Sequence, residues 1–240
     1  MGARLTAPSG RRTARLAGLL LAASSVVASS GAAQGVVVDQ GRFTVTYGGR
    51  AAGTEDFSIR RAGLGPDDAM FANATVSLTR DGRAQEIRPL LRATPAGVAI
   101  EYQVEVTGAD RLELGLRRVA RRYVATIRSE TGEEQREFPA AMETRILEQD
   151  VAHFYYFLRD VEPGTVTPVI EPRSRARLEL TAGTPTTEEL VAGSAPVAAR
   201  RVEYTSGSEV RIVWFDPLGR VLRVEIPSTG YVAQRTEVPR

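Results

Sequence analysis

The stretch QDVAHFYYFLRD, residues 149–160, gathers the residue types that could do chemistry. It holds the chain's only histidine, His153, followed by four aromatics in a row, in a protein that is just 6% aromatic. As a general base His153 would need a nucleophile to serve and a carboxylate to orient it. The sequence identifies neither. At 100° per residue, Val151, Phe154, Tyr155, Phe157, Leu158 and Val161 fall within an arc of about 160°, while His153, Tyr156 and Asp160 fall on the other side. The spacing predicts one amphipathic helix over 149–161, N-capped by Asp150, stopped by Pro163-Gly164, and with His153 at or near its surface.

Other chemistries meet obstacles. One histidine and no cysteine cannot assemble the usual zinc site, so no metal ligands are named. The chain has no Gly-x-Ser-x-Gly elbow, phosphate-binding glycine loop, dinucleotide fingerprint or calcium-loop spacing, and heme and thiol redox chemistry lack their cysteine motifs. No cofactor and no catalytic residue follows from these patterns. A hydrolase built on carboxylates distant in sequence stays open. Most acidic residues, however, sit opposite arginines on alternating faces, where cross-strand pairing accounts for them.

The elements that must position these residues are strands. FTVTY, residues 43–47, alternates with period two up to Gly48-Gly49, and the pattern returns through Phe57 and Ile59. Further hairpins turn at Asp81-Gly82, Thr131-Gly132 and Ser206-Gly207, and a last one at DPLG, residues 216–219. In the final third, Val202 and Tyr204, then Val210, Ile212 and Trp214, then Leu222, Val224 and Ile226 are expected on one inner face. Pro168 and Pro172 bracket an edge or bend after the helix. Residues 181–196 read as a mobile loop or irregular edge. Ten or more strands without a βαβ rhythm indicate a mainly β fold, a large curved antiparallel sheet forming a half-barrel or open barrel packed on the single helix.

Residues 1–33 read as a signal peptide, with Arg4, Arg11, Arg12 and Arg15 ahead of the apolar LAGLLLAASSVVA and a small-residue cleavage region. The Arg11-Arg12 pair leaves open whether export is general or twin-arginine. Residues 34–240 then form a single domain, periplasmic or extracellular, with no transmembrane anchor. The whole chain is formally +2, but without the signal 27 basic residues face 29 acidic ones, a charge of −2. A nucleic-acid partner is not expected.

The order of elements carries a resemblance. The hairpin FTVTYGGRAAGTEDFSIRR leads into a meander, then DVAHFYYFLRD, then the proline-bounded segment, and the chain closes on VRIVWFDPLGRVLRVEIPS. Over about residues 35–235 this resembles uncharacterised secreted bacterial β-sheet proteins whose fold is similar to the LolA/LolB lipoprotein carriers. The resemblance implies a half-barrel whose concave sheet and covering helix hold acyl chains.

Two readings of the aromatics follow. They plug the core, where three or four such side chains contribute roughly 5–12 kcal/mol, or they line a cavity. The expected activity is non-enzymatic binding of a lipid, another apolar ligand or an envelope component in the groove between sheet and helix. Phe154, Tyr155, Phe157, Leu158 and Trp214 are the expected ligand contacts. The alternative is a structural or protein-interaction module of the cell envelope with a filled core.

Overall fold

A computed structural model describes residues 35–63 and 68–238. The signal segment lies outside the described residues. Ala33–Arg240 form one compact unit.

Among the described residues, alternation and tight turns generate sixteen strands: β1 Val36–Tyr47, β2 Arg50–Ala62, β3 Ala69–Arg80, β4 Arg83–Ala93, β5 Ala99–Gly108, β6 Leu112–Val119, β7 Arg122–Ser129, β8 Gly132–Pro139, β9 Arg145–Ile146, β10 Val166–Glu171, β11 Ala176–Ala182, β12 Thr186–Ala192, β13 Ala195–Ser206, β14 Glu209–Phe215, β15 Val221–Ile226 and β16 Tyr231–Arg235. They join one sheet in the order 8-7-6-5-4-3-2-1-16-15-14-13-11-10-9, with β12 branching from β13. The neighbours are antiparallel except β9 on β10. The Gly48-Gly49 turn is realised as expected, both residues taking the positive φ that a two-residue hairpin needs. In the last hairpin Asp216 Oδ1 accepts from the backbone of Leu218 at 2.9 Å and of Arg220 at 2.8 Å.

The sheet must curl. Laid flat, the eight steps from β5 to β13 would span about 38 Å. Yet one short segment, residues 148–158, touches both strands: Tyr102 of β5 meets Glu148, and Tyr204 of β13 donates to the Leu158 carbonyl at 2.8 Å. The described sheet is open between β8 and β9, and an Arg175–Glu134 ion pair of 3.0 Å joins β8 to the β10–β11 turn.

Residues 148–158 run as a strap through this curl, and here the expected helix fails. Among the described residues no amphipathic helix packs on the sheet, and Asp150 does not cap one. What forms is a single 3-10 piece, His153–Leu158, with Tyr155 bonded to Ala152 and Arg159 to Tyr156. An amphipathic helix needs a solvated face, and this segment has none. All six of its residues are buried, His153 and Tyr156 included. Asp150 takes a positive φ of 68° and turns its carboxylate to Tyr47 and Arg173. The capping role falls to Glu55 of β2, whose carboxylate accepts from the backbone N–H groups of Ala152 at 2.7 Å and His153 at 3.0 Å.

Of the two readings of residues 181–196 the loop is corrected and the irregular edge is kept: most of them lie in β11, β12 and β13, and β12 pairs with β13 off the main strand order. The faces of β14 are also exchanged. Val202 and Tyr204 do point inward, but their cross-strand partners are Val213 and Arg211, so Arg211, Val213 and Phe215 face the core. Val210, Ile212 and Trp214 face outward, because side chains alternate strictly and a one-residue change of parity inverts a whole strand. A register shift between Trp214 and Phe215 leaves Leu222 as the extra residue on β15, and Leu222 joins Trp214 outside.

Candidate functional site

Three polar clusters fix the strap to the wall. In the first, Glu55 shares the parity of Phe57 and Ile59 on β2, so the alternation that buries those side chains buries a carboxylate with them. Besides its two backbone partners, Glu55 Oε1 lies 2.5 Å from His153 Nδ1. The imidazole stacks on Phe57, ring centres 5.5 Å apart, and touches Phe154 at 4.5 Å. Its Nε2 is buried and makes no hydrogen bond among the described residues.

In the second cluster Glu148, fully buried, accepts from Tyr102 at 2.8 Å and from its neighbour's backbone, and pairs with Arg173 at 2.9 Å. Arg173 also reaches Asp150, which accepts from Tyr47. Burial pushes the Glu148 carboxyl above its ordinary value, against the pull of Arg173. In the third, Arg211 donates to Glu171 at 2.6 Å, to Glu209 at 2.8 Å and to the Tyr155 hydroxyl at 3.2 Å. Burial pushes the Tyr155 phenol up to about 12.

A carboxylate that orients an imidazole is half of a nucleophile-activating relay. Here the other half is missing: no hydroxyl is hydrogen-bonded to His153 Nε2 among the described residues, and aromatic rings flank the imidazole. The pair acts instead as a clasp between β2 and the strap. Among the described residues no group of three or more His, Asp or Glu side chains is placed to hold a metal ion. No helix among them is long and apolar enough to cross a membrane.

Of the five expected contact residues, the structure brings four together. Phe154, Tyr155, Phe157 and Leu158 lie in the main core, none more than 4% exposed. Trp214 is separated from them by the sheet itself. It packs in an outer cluster with Ala192, Ala199 and Leu222, under the β12–β13 hairpin. Its indole donates to Glu188 at 2.9 Å, and Arg201 and Arg223 lie over its ring at 5.6 and 5.3 Å. A depression of about 900 Å³ opens elsewhere, between the start of β1 and the end of β16, beside the buried Asp39–Arg235 ion pair. Phe57 lines it; the four strap residues do not.

Of the residues that fasten the strap, Glu55, Tyr102, Glu148 and Arg211 were not expected. A signal for two of them exists: Glu55 and Arg211 are charges at inward parity of alternating strands, which is unusual unless a partner waits inside. Their partners are 98 and 40 residues away in sequence, beyond any local pattern.

These features define a β-barrel-like fold whose interior is filled by its own strap. Among solved structures the chain is similar to a beta-barrel-like protein of the domain of unknown function DUF1849 from Brucella abortus, with a TM-score of 0.52 at 8% identity, over 84% of this chain and 96% of that one. A DUF1089 family protein from Pseudomonas aeruginosa aligns over 73% of this chain and 90% of that one, at 16% identity and a TM-score of 0.39, too low to bear on the fold. No family profile matches the chain, and no curated protein does.

Proposed function

We propose that this is a non-enzymatic binding protein of the bacterial envelope, exported by its first 33 residues, that engages an envelope component from outside a filled barrel. One observation carries the reading. The six residues His153–Leu158 are buried in a core continuous across the sheet, so the space a carrier would offer an acyl chain is taken by the protein's own aromatics. The buried carboxylates support the non-enzymatic part: Glu55, Glu148 and Glu171 each accept from internal donors and serve to hold the strap.

A second reading follows the likeness to the LolA/LolB carriers. It puts an apolar ligand between the curved sheet and the strap, against Phe154, Tyr155, Phe157 and Leu158. The observation in its favour is that the strap contains little regular structure and is fastened by side-chain clasps, so its displacement would open an apolar space. Native mass spectrometry of residues 34–240, followed by solvent extraction, separates the two. A bare, stable protein is the expected result. Stoichiometric lipid or another apolar molecule would overturn the filled-barrel reading in favour of the carrier.

A further inference from the structure

The outer face of β3–β8 carries a row of residues unlike its neighbours. Cross-strand partners run from Asn73 to Leu90, Gln103, Gly115, Thr126 and Gln135, one residue from each strand. Gln103 lies between the buried Tyr102 and Val104, and Thr126 between the buried Ala125 and Ile127, so alternation points this row away from the core. None of the six is charged. The row two residues to one side, Arg88, Glu105, Glu113, Arg128 and Glu133 over β4–β8, is charged throughout. The row to the other side includes Arg92, Glu101, Arg117 and Glu137. At about 4.8 Å per strand, the steps from β3 to β8 make an uncharged strip about 24 Å long. The same row continues over β2 and β1 through Ser58 and Gln40.

Gly115, in the middle of the strip, is a second departure. Its φ is not positive, so its backbone does not require glycine. A Cβ there would meet no atom within 4 Å, so packing inside the protein does not require glycine either. Glycine weakens a strand interior, and it often marks a place where a ligand or another chain approaches closely. The bare backbone leaves a depression of about 190 Å³ on the outer face, rimmed by Gln103, Thr126 and Gln135. The side chains of Asn73, Thr126 and Gln135 make no hydrogen bond among the described residues, and Gln103 Nε2 reaches only Glu101, at 3.4 Å. Amide and hydroxyl groups, each both donor and acceptor, therefore face outward at strand intervals around an open notch.

We propose that this strip, centred on Gly115, binds a neutral glycan chain laid across the strands. The proposal rests on the reading of a filled barrel that engages an envelope component from outside, and it names the class of that component. The charge pattern selects the occupant. A nucleic acid or another polyanion needs cations in the strip, and there are none. A membrane, or the centre of a protein interface, needs apolar and aromatic surface, and Leu90 is the strip's one large apolar side chain. The flanking charges are mixed in sign and pair with each other, as Arg128 does with Glu133 at 2.9 Å. A neutral sugar chain brings hydroxyls and amides to Asn73, Gln103, Thr126 and Gln135 without any charge to match. Its repeat is close to the strand spacing, and the notch over Gly115 gives one ring room to approach the backbone.

The test is isothermal titration of the protein with two neutral probes, the N-acetylglucosamine hexamer and maltohexaose. The expected result is binding of at least one, weakened about tenfold or more by Gly115→Val, which fills the notch. The same variant should leave thermal stability unchanged or raised, since a β-branched side chain suits a strand and has open space there. A purely structural glycine would not give that pair of opposite effects. Thr126→Glu should weaken binding likewise, by setting an unpaired carboxylate under the neutral chain. Should Gly115→Val fail to fold, Thr126→Glu decides alone. Dextran sulfate and phosphatidylcholine vesicles are the counter-probes. Binding to one of these in place of both oligosaccharides gives the strip to another partner and overturns the proposal. So does binding of neither oligosaccharide, or equal binding by the protein and both variants. Lipid found by native mass spectrometry would overturn the filled barrel but not alter these titrations, so the two readings fail separately.

Discussion

The two aromatic clusters of this protein lie on opposite faces of one sheet and are held by different means. Inside, Phe154, Tyr155 and Phe157 belong to a strap that crosses from β2 and β5 to β13 and β14. Buried carboxylates and arginines place it. Outside, Trp214 sits under a hairpin that is adjacent to it in the sheet, between two arginines with partly exposed side chains. The inner cluster links strands far apart in the sheet order, whereas the outer one thickens a single edge. Damage inside should therefore spread through the domain, and damage outside should stay local.

The largest expected effect is alkaline unfolding, which attacks only the inside. Burial raises the phenols of all seven tyrosines, each in or against the main core, while the Trp214 cluster has none. A phenol whose folded-state pKa is raised contributes stability that is complete below about 10 and lost as pH climbs through the folded value. For Tyr155 that window runs from 10 to about 12. Tyrosinate absorbance should appear cooperatively with loss of β structure above pH 10. If Trp214 emission shifts at the same pH, the two clusters unfold as one unit; a separate shift would make the outer layer its own unit.

Phe154→Ala should cost about 3–5 kcal/mol in urea denaturation, because a cavity opens in the middle of the core. Glu55→Ala should cost about 3 kcal/mol by the same measurement, leaving two buried backbone N–H groups and the His153 ring nitrogen without an acceptor. A cost under about 1 kcal/mol would mean that the strap is held by apolar packing alone. Trp214→Ala should cost about 2 kcal/mol, since the hairpin above it can settle or admit water. If it proves as costly as Phe154→Ala, the inside–outside distinction collapses. Smallest of all, Arg201→Gln removes one of the cations over the indole and should cost no more than about 1 kcal/mol.

Much of the fold was legible from local pattern. Gly48-Gly49, Asp81-Gly82 and Asp216 through Gly219 mark turns because their backbone angles and side-chain bonds are decided within a few residues. The strands between them follow from alternation. The candidate site was far less legible. The arc through Val151, Phe154, Phe157 and Leu158 satisfied a helical period, but a segment walled in on every side needs no period at all. Its polar members His153 and Tyr156 are as buried as its apolar ones. The parity of β14 misled for a related reason. Both of its faces are covered, so the apolar Ile212 and Trp214 lie outside under a hairpin while Arg211 lies inside against Glu171.

What the sequence by itself determined was the near range: a meander of many strands, where it turns, and which segment is densest in aromatics. These depend on backbone preference and side-chain alternation, which act over a few residues. The tertiary structure alone decided that the aromatic segment threads the curl as a strap and that Glu55 caps it from 97 residues away. Those outcomes rest on buried charges finding partners, and desolvation enforces such pairing only once the distant strands have closed around them.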